Sequence, residues 1–170
     1  MKKILLCFLV SASLIACTNQ ETKTETAEQK STTVEHIYKP TYTDNFKIGG
    51  EGNVLLVEKF HQAIFAKDFK QMGEFLADTA IFYLDDGTVI NGKDSMVKYA
   101  EINFSKLNII NYKQLVSLPV VADNGEEWVL IWDEADLEVD GKSTKVRWQD
   151  TFRVSNGKIV MMNGFAKYPK

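Results

Sequence analysis

The chain has 170 residues, 45% hydrophobic and 25% charged, a usage that excludes a fibrous or wholly disordered protein. Twenty basic against twenty-three acidic side chains leave a net charge of −3, which gives no field to concentrate nucleic acid, so neither DNA nor RNA is expected as a partner. Two cysteines and two histidines are too few for a disulfide-dense scaffold, a multi-thiolate zinc site or a histidine-rich metal centre, and no metal or cofactor is expected.

Lys2 and Lys3 open the chain, and Ile4 to Ile15 form an apolar run interrupted by Ser11 and Ser13. That run is shorter than the roughly 20 residues needed to span a bilayer core, so residues 1–16 read as a signal peptide. The run closes on Leu14-Ile15-Ala16-Cys17, which resembles the lipobox of bacterial lipoproteins. The resemblance implies cleavage before Cys17, lipidation of its thiol and durable attachment through two or more acyl chains. The expected location is the cell envelope, anchored to a membrane, with the outer membrane favoured because Thr18 and Asn19 carry no acidic retention cue. Cleavage would leave eighteen basic and twenty-three acidic residues, a net charge of −5, and no free thiol.

Residues 18–35 hold six Thr, four Glu, two Gln and two Lys, with only Ala27 and Val34 apolar, too little to offset the entropy of ordering. Residues 17–46 are therefore expected to be the lipidated cysteine and a flexible tether, with a reach of about 30 Å on the ~5–6 Å × √n scale. Within 36–52 there is enough apolar mass, from Ile37 to Ile48, for an irregular arm to pack in part. The folded domain is expected over 47–170.

From Asn53, a plausible N-cap, Leu56, Val57, Phe60, Ile64 and Phe65 recur at helical spacing to about Ala66. Asp68 with Gln71 makes a capping box for a second helix ending near Asp78. Thr79 to Leu84 reads as a strand, Asp85-Asp86-Gly87 as a turn, and a third helix follows Asn91-Gly92 and runs through Phe104. Three long strands follow, over about 109–121, 127–139 and 144–154, and a last one over 158–165. Asx-Gly pairs between them mark antiparallel hairpins.

The order α-α-β-α-β-β-β-β, with Lys67-Asp68, Phe75-Leu76-Ala77-Asp78-Thr79-Ala80, Asn91-Gly92-Lys93-Asp94 and Gln149 to Ile159, resembles the SnoaL-like branch of the nuclear-transport-factor-2-like superfamily over about residues 53–168. The resemblance implies an α+β fold: three N-terminal helices packed on a strongly curved antiparallel sheet, forming a cone with an internal pocket. It also implies a homodimer across the outer sheet face in many members.

Strand 144–154 has the clearest parity, with Val146, Trp148, Asp150, Phe152 and Val154 on one face and charged or polar residues on the other. If the first set faces inward, Asp150 is a carboxylate on an apolar wall, a candidate general acid or base. The structural alternative is a carboxylate bonded to backbone or to a tyrosine, or turned out by a bulge. In the preceding strand, Trp128, Leu130 and Trp132 alternate with Val129 and Ile131, so both faces are apolar, and either Trp132 with Glu134 or Asp133 could reach the pocket mouth. Tyr83 stands close to where the ketosteroid isomerases of the superfamily place a catalytic carboxylate, and Phe60 where they place a helix-one tyrosine. Both departures weaken an isomerase assignment. His61 is a substitute base or a structural histidine, and Asp85, Asp86, Asp123, Glu126 and Glu127 read as solvated turn residues.

These residues suggest a lipid-anchored envelope protein whose pocket, lined by Tyr83, Trp132, Trp148 and Phe152, binds a small, largely apolar molecule. A SnoaL-like cyclase, isomerase or hydratase using Asp150 is the alternative reading. A protein-interaction module docking through an outer face that includes Val129 or Ile131 is a third.

Overall fold

The computed structural model describes residues 37–43 and 45–168. The expected signal peptide, lipidated Cys17 and most of the expected tether lie outside the described residues.

The first element among the described residues is not a helix but a short strand, β1 (Phe46–Ile48), paired antiparallel with Val120–Ala122 further along the chain. Helix α1 (Glu51–Phe65) begins two residues before Asn53, with extended Gly50 at its N-cap and Glu51 in the first turn, where a carboxylate suits the helix dipole. Its buried stripe runs through Val54, Val57, Phe60, His61 and Ala63. Asp68 caps α2 (Phe69–Glu74) as expected, accepting from the Gln71 backbone N–H at 2.9 Å. This helix is shorter than its sequence suggests. Leu76 already pairs with Ile159, so Leu76 to Asp78 belong to β2 (Leu76–Tyr83). Gly73 is needed where α2 meets the third helix, because a Cβ there would stand 3.0 Å from Val97 Cγ2.

β3 (Val89–Asn91) folds back on β2, and α3 (Lys93–Asn103) leads to the four long strands β4 (Asn108–Ala122), β5 (Glu127–Val139), β6 (Lys142–Ser155) and β7 (Lys158–Lys167). The seven strands form one open sheet in the order β1-β4-β5-β6-β7-β2-β3. All pairings are antiparallel except β2 with β7, so the sheet is mixed rather than purely antiparallel. The three helices cover its inner face, the α+β arrangement expected, and the core between layers includes Phe60, Met72, Phe82, Met96, Ile131, Phe152 and Ile159.

Two irregularities in β4 decide which side chains face inward. Ile110 opposes Asp136 and Lys113 opposes Glu134, so Asn111 and Tyr112 together face one residue, Ala135. Asn111 takes the left-handed φ of 53° that such a bulge requires, and the extra residue turns Tyr112 to the inner face. A second shift between Gln114 and Val116 restores the outward direction of Val116, Leu118 and Val120.

Candidate functional site

Between α1, α3 and the inner face of β4 to β7 lies a cavity of about 220 Å³. The parity of β6 holds. Val146, Phe152 and Val154 are buried, and Trp148 and Asp150 line the cavity. Phe152 itself is fully buried behind the wall, packed against Phe60 and His61 with ring centroids 6.0 and 5.5 Å away. It supports the site without lining it.

Tyr83 and Trp132, expected to line the pocket, do not reach this cavity. Phe82 opposes Met162 on the inner face, so Tyr83, one residue on, opposes Asn163 on the outer face, and the chain re-enters the cavity at Leu84 and Asp85. On β5 the inward set is Val129, Ile131, Asp133 and Ala135, all buried. Trp132 opposes Gln149 on the outer face and is 38% exposed. Val129 and Ile131 accordingly cannot dock a partner. The outer surface is made by Trp128, Leu130 and Trp132, and Tyr42 of the N-terminal arm stands edge-on to Trp128 with centroids 5.2 Å apart. Tyr83, Tyr42, Trp128 and Leu130 line a separate hollow of about 520 Å³ on that side.

Asp133, which parity in an apolar strand could not select, is 3% exposed and projects into the cavity wall. Tyr112 Oη donates to its Oδ2 at 3.1 Å, and Oδ1 has no hydrogen-bond partner among the described residues. Burial raises its pKa to about 6, against the opposing effect of the Tyr112 bond. Burial and the neighbouring Asp133 push the Tyr112 hydroxyl far up, so it remains a donor.

Asp133 opposes Trp148, and Asp150 opposes Ile131, which makes the two carboxylates diagonal neighbours on adjacent strands, a separation of about 7–8 Å between such positions. Burial first, then the charges of Asp133 and Asp85, raise Asp150 to about 8. Gly164 makes room for it. A Cβ on Gly164 would fall 2.9 Å from Asp150 Oδ1. Asp85 is an exposed turn residue, as its sequence suggests, and it also lines the cavity edge, where Tyr168 Oη donates to its Oδ2 at 3.4 Å.

His61 faces the same cavity from α1, between Phe60, Phe65, Tyr112 and Phe152. It is 8% exposed, its Nδ1 has no partner among the described residues, and burial lowers its pKa to about 4, so its imidazole is neutral. Among the described residues that line the cavity there is no Lys or Arg. Arg147 and Lys113 turn to Glu134 on the outer face, and Lys145 to Asp136. The site can therefore hold, donate and accept protons in apolar surroundings, with no cation to keep its carboxylates ionised.

The family model for a SnoaL-like domain matches residues 57–162. No curated protein matches the sequence. Among solved structures, an epoxide hydrolase of the LEH-like type from M. tuberculosis superposes with a TM-score of 0.57 at 19% identity, covering 68% of this chain and 83% of that one. A Bacillus subtilis protein described only provisionally as an isomerase gives 0.59 at 18% identity, covering 69% and 87%. A computationally designed 17-OHP binder gives 0.56 at 16% identity, covering 69% and 98%. At these identities the likeness is one of fold.

Proposed function

The chain belongs to the SnoaL-like domain family, and from that premise we propose that its cavity binds a small, largely apolar molecule and moves a proton on it. Asp150 is the general acid/base and Asp133 its ionised neighbour. The observation that carries this reading is the pair of carboxylates on adjacent strands inside an apolar cavity with no Lys or Arg among the described residues that line it. Two like charges so placed ionise in separate steps, and the pair keeps one proton at neutral pH. Asp150 holds it, while the Tyr112 hydrogen bond favours the charge on Asp133. A ligand atom beside Asp150 then meets either an acid or, once that proton has left, a base, in a site where proton transfer near neutrality is well matched. Trp148 and Phe65 supply apolar contact area, and neutral His61 supplies a further polar group on the same wall. That fold neighbours include an epoxide hydrolase is in keeping with proton-transfer chemistry on this scaffold.

Carboxyl-carbon NMR titration tests the reading directly. The expected result is one aspartate titrating near pH 8 and a second near pH 6, assigned by loss of each signal in Asp150→Asn and Asp133→Asn. Both groups titrating in the ordinary carboxylate range would refute an acid–base pair.

We further propose that Cys17 carries the lipid that holds the domain at the envelope, on the outer membrane in preference to the inner. Cys17→Ser should move the protein from the membrane to the soluble fraction on cell fractionation, and retention in the membrane would refute the anchor.

A further inference from the structure

We infer that the molecule this cavity selects is a cation: a small apolar ammonium, about one ring with a short aminoalkyl arm, taken in preference to neutral or anionic molecules of the same size. The inference rests on the reading of the cavity as a ligand site and adds the charge of its occupant.

The groups that face the cavity from each packed element all point to the same sign. α1 brings neutral His61, with Glu58 nearby and held by the Gln114 side chain at 3.1 Å. The turn after β2 brings Asp85, β5 brings Asp133 and β6 brings Asp150, while Tyr99, Tyr112 and Tyr168 remain uncharged phenols. The basic side chains of β4 and β6 that could have balanced these acids are on the other side of the sheet, on Glu134 and Asp136.

Asp133 adds an observation independent of charge counting. Asp133 is 3% exposed, yet its Oδ1 lacks a partner among the described residues, a costly arrangement that a donor arriving from the cavity would relieve. An ammonium brings up to three donors and a charge. A neutral alcohol brings one donor, and a carboxylate ligand brings none and adds repulsion. Stripping water from the ammonium is costly, but two carboxylates and the faces of Phe65, Tyr112 and Trp148 replace that water, and aromatic faces attract cations. As for size, a cavity of roughly 150 Å³ accepts benzene, so about 220 Å³ suits one ring with a short chain.

Binding a cation here also favours the ionised form of Asp150, so the proton it holds leaves to solvent as the ligand enters. Affinity for an amine must then rise as pH climbs toward and through about 8, where Asp150 loses its proton in the free protein.

The test uses three size-matched probes, 2-phenylethylamine, 2-phenylethanol and phenylacetate, titrated calorimetrically into the full-length protein in buffers of different ionisation enthalpy. The amine should bind about tenfold or more tightly than the alcohol, release a fraction of a proton at neutral pH, and bind more tightly as pH rises. Phenylacetate should give no heat. The double variant Asp133→Asn, Asp150→Asn should lose the preference for the amine and the proton release while still binding the alcohol. Should the alcohol or phenylacetate bind as well as the amine, the inference is overturned and the cavity's role as a ligand site stands. Silence from all three probes overturns both.

Discussion

Asp150 is the residue on which most of the chemistry turns, and its environment makes a definite statement about stability. Its ordinary pKa of 3.8 applies in the unfolded chain, and in the fold it is raised to about 8. Between those values the unfolded chain has lost a proton that the folded chain keeps, so this group's contribution is fully present below about pH 4 and is lost as pH rises to about 8. Asp150→Asn removes the dependence. The variant should match the wild type near pH 4 and exceed it at pH 8 and above by several kcal/mol, since each pH unit over which only the folded chain holds the proton is worth about 1.4 kcal/mol. Urea unfolding at the two pH values measures it, and a pH-independent difference would show that Asp150 is not buried as a neutral acid. The inward direction of Asp150 was legible from the alternation of β6 alone, because only a strand with one apolar face has a readable period. Asp133 was not, since Trp128, Leu130 and Trp132 make its strand apolar on both faces.

At the scale of the element, the bulge in β4 is what completes the site. Asn111 adopts a left-handed φ of 53°, its side chain donates to Asp136 Oδ2 at 2.8 Å, and the residue after it is thereby aimed at Asp133. Asn111→Val places a β-branched residue in that conformation, which costs about 1–2 kcal/mol and favours straightening of the strand. The expected outcome is a less stable protein in which Tyr112 no longer bonds Asp133, so the Asp133 titration moves up from about 6. NMR of the carboxyl carbon reads this separately from the stability loss, and an unmoved titration would mean the bulge survives. No periodicity in residues 108–122 announces the bulge. Asn is one of the few residues that tolerate a left-handed turn, but many asparagines never take one. The end of α2 was obscured for a related reason. Local propensity lets the helix continue, and it is pairing of Leu76 with Ile159, 83 positions away, that makes strand of the next residues.

For the whole molecule, the N-terminal arm changes what the sheet presents to its surroundings. Gly49 N–H donates to the Pro119 carbonyl at 2.8 Å, Thr43 Oγ1 donates to Asp123 Oδ1 at 2.9 Å, and β1 covers one end of the β4 edge, where unpaired backbone groups would otherwise invite another strand. Removing residues through 48 should expose Trp128, which is 5% exposed with the arm in place, and should red-shift tryptophan emission and promote self-association on sedimentation. An unchanged spectrum would show that the arm does not protect this face. The sequence by itself determined the order of helices and long strands, the capped start of α2, and the inward set of β6, because each rests on neighbours within a few positions: a spacing, a cap, a turn. Only the tertiary structure decided that the last strand pairs parallel with β2, that Tyr83 and Trp132 face outward while Tyr112, Asp133 and His61 gather around Asp150, and that no Lys or Arg of the described residues joins them. Those outcomes depend on bulges and on pairings between distant segments, where a shift of one residue reverses a side chain's direction and the local pattern carries no trace of it.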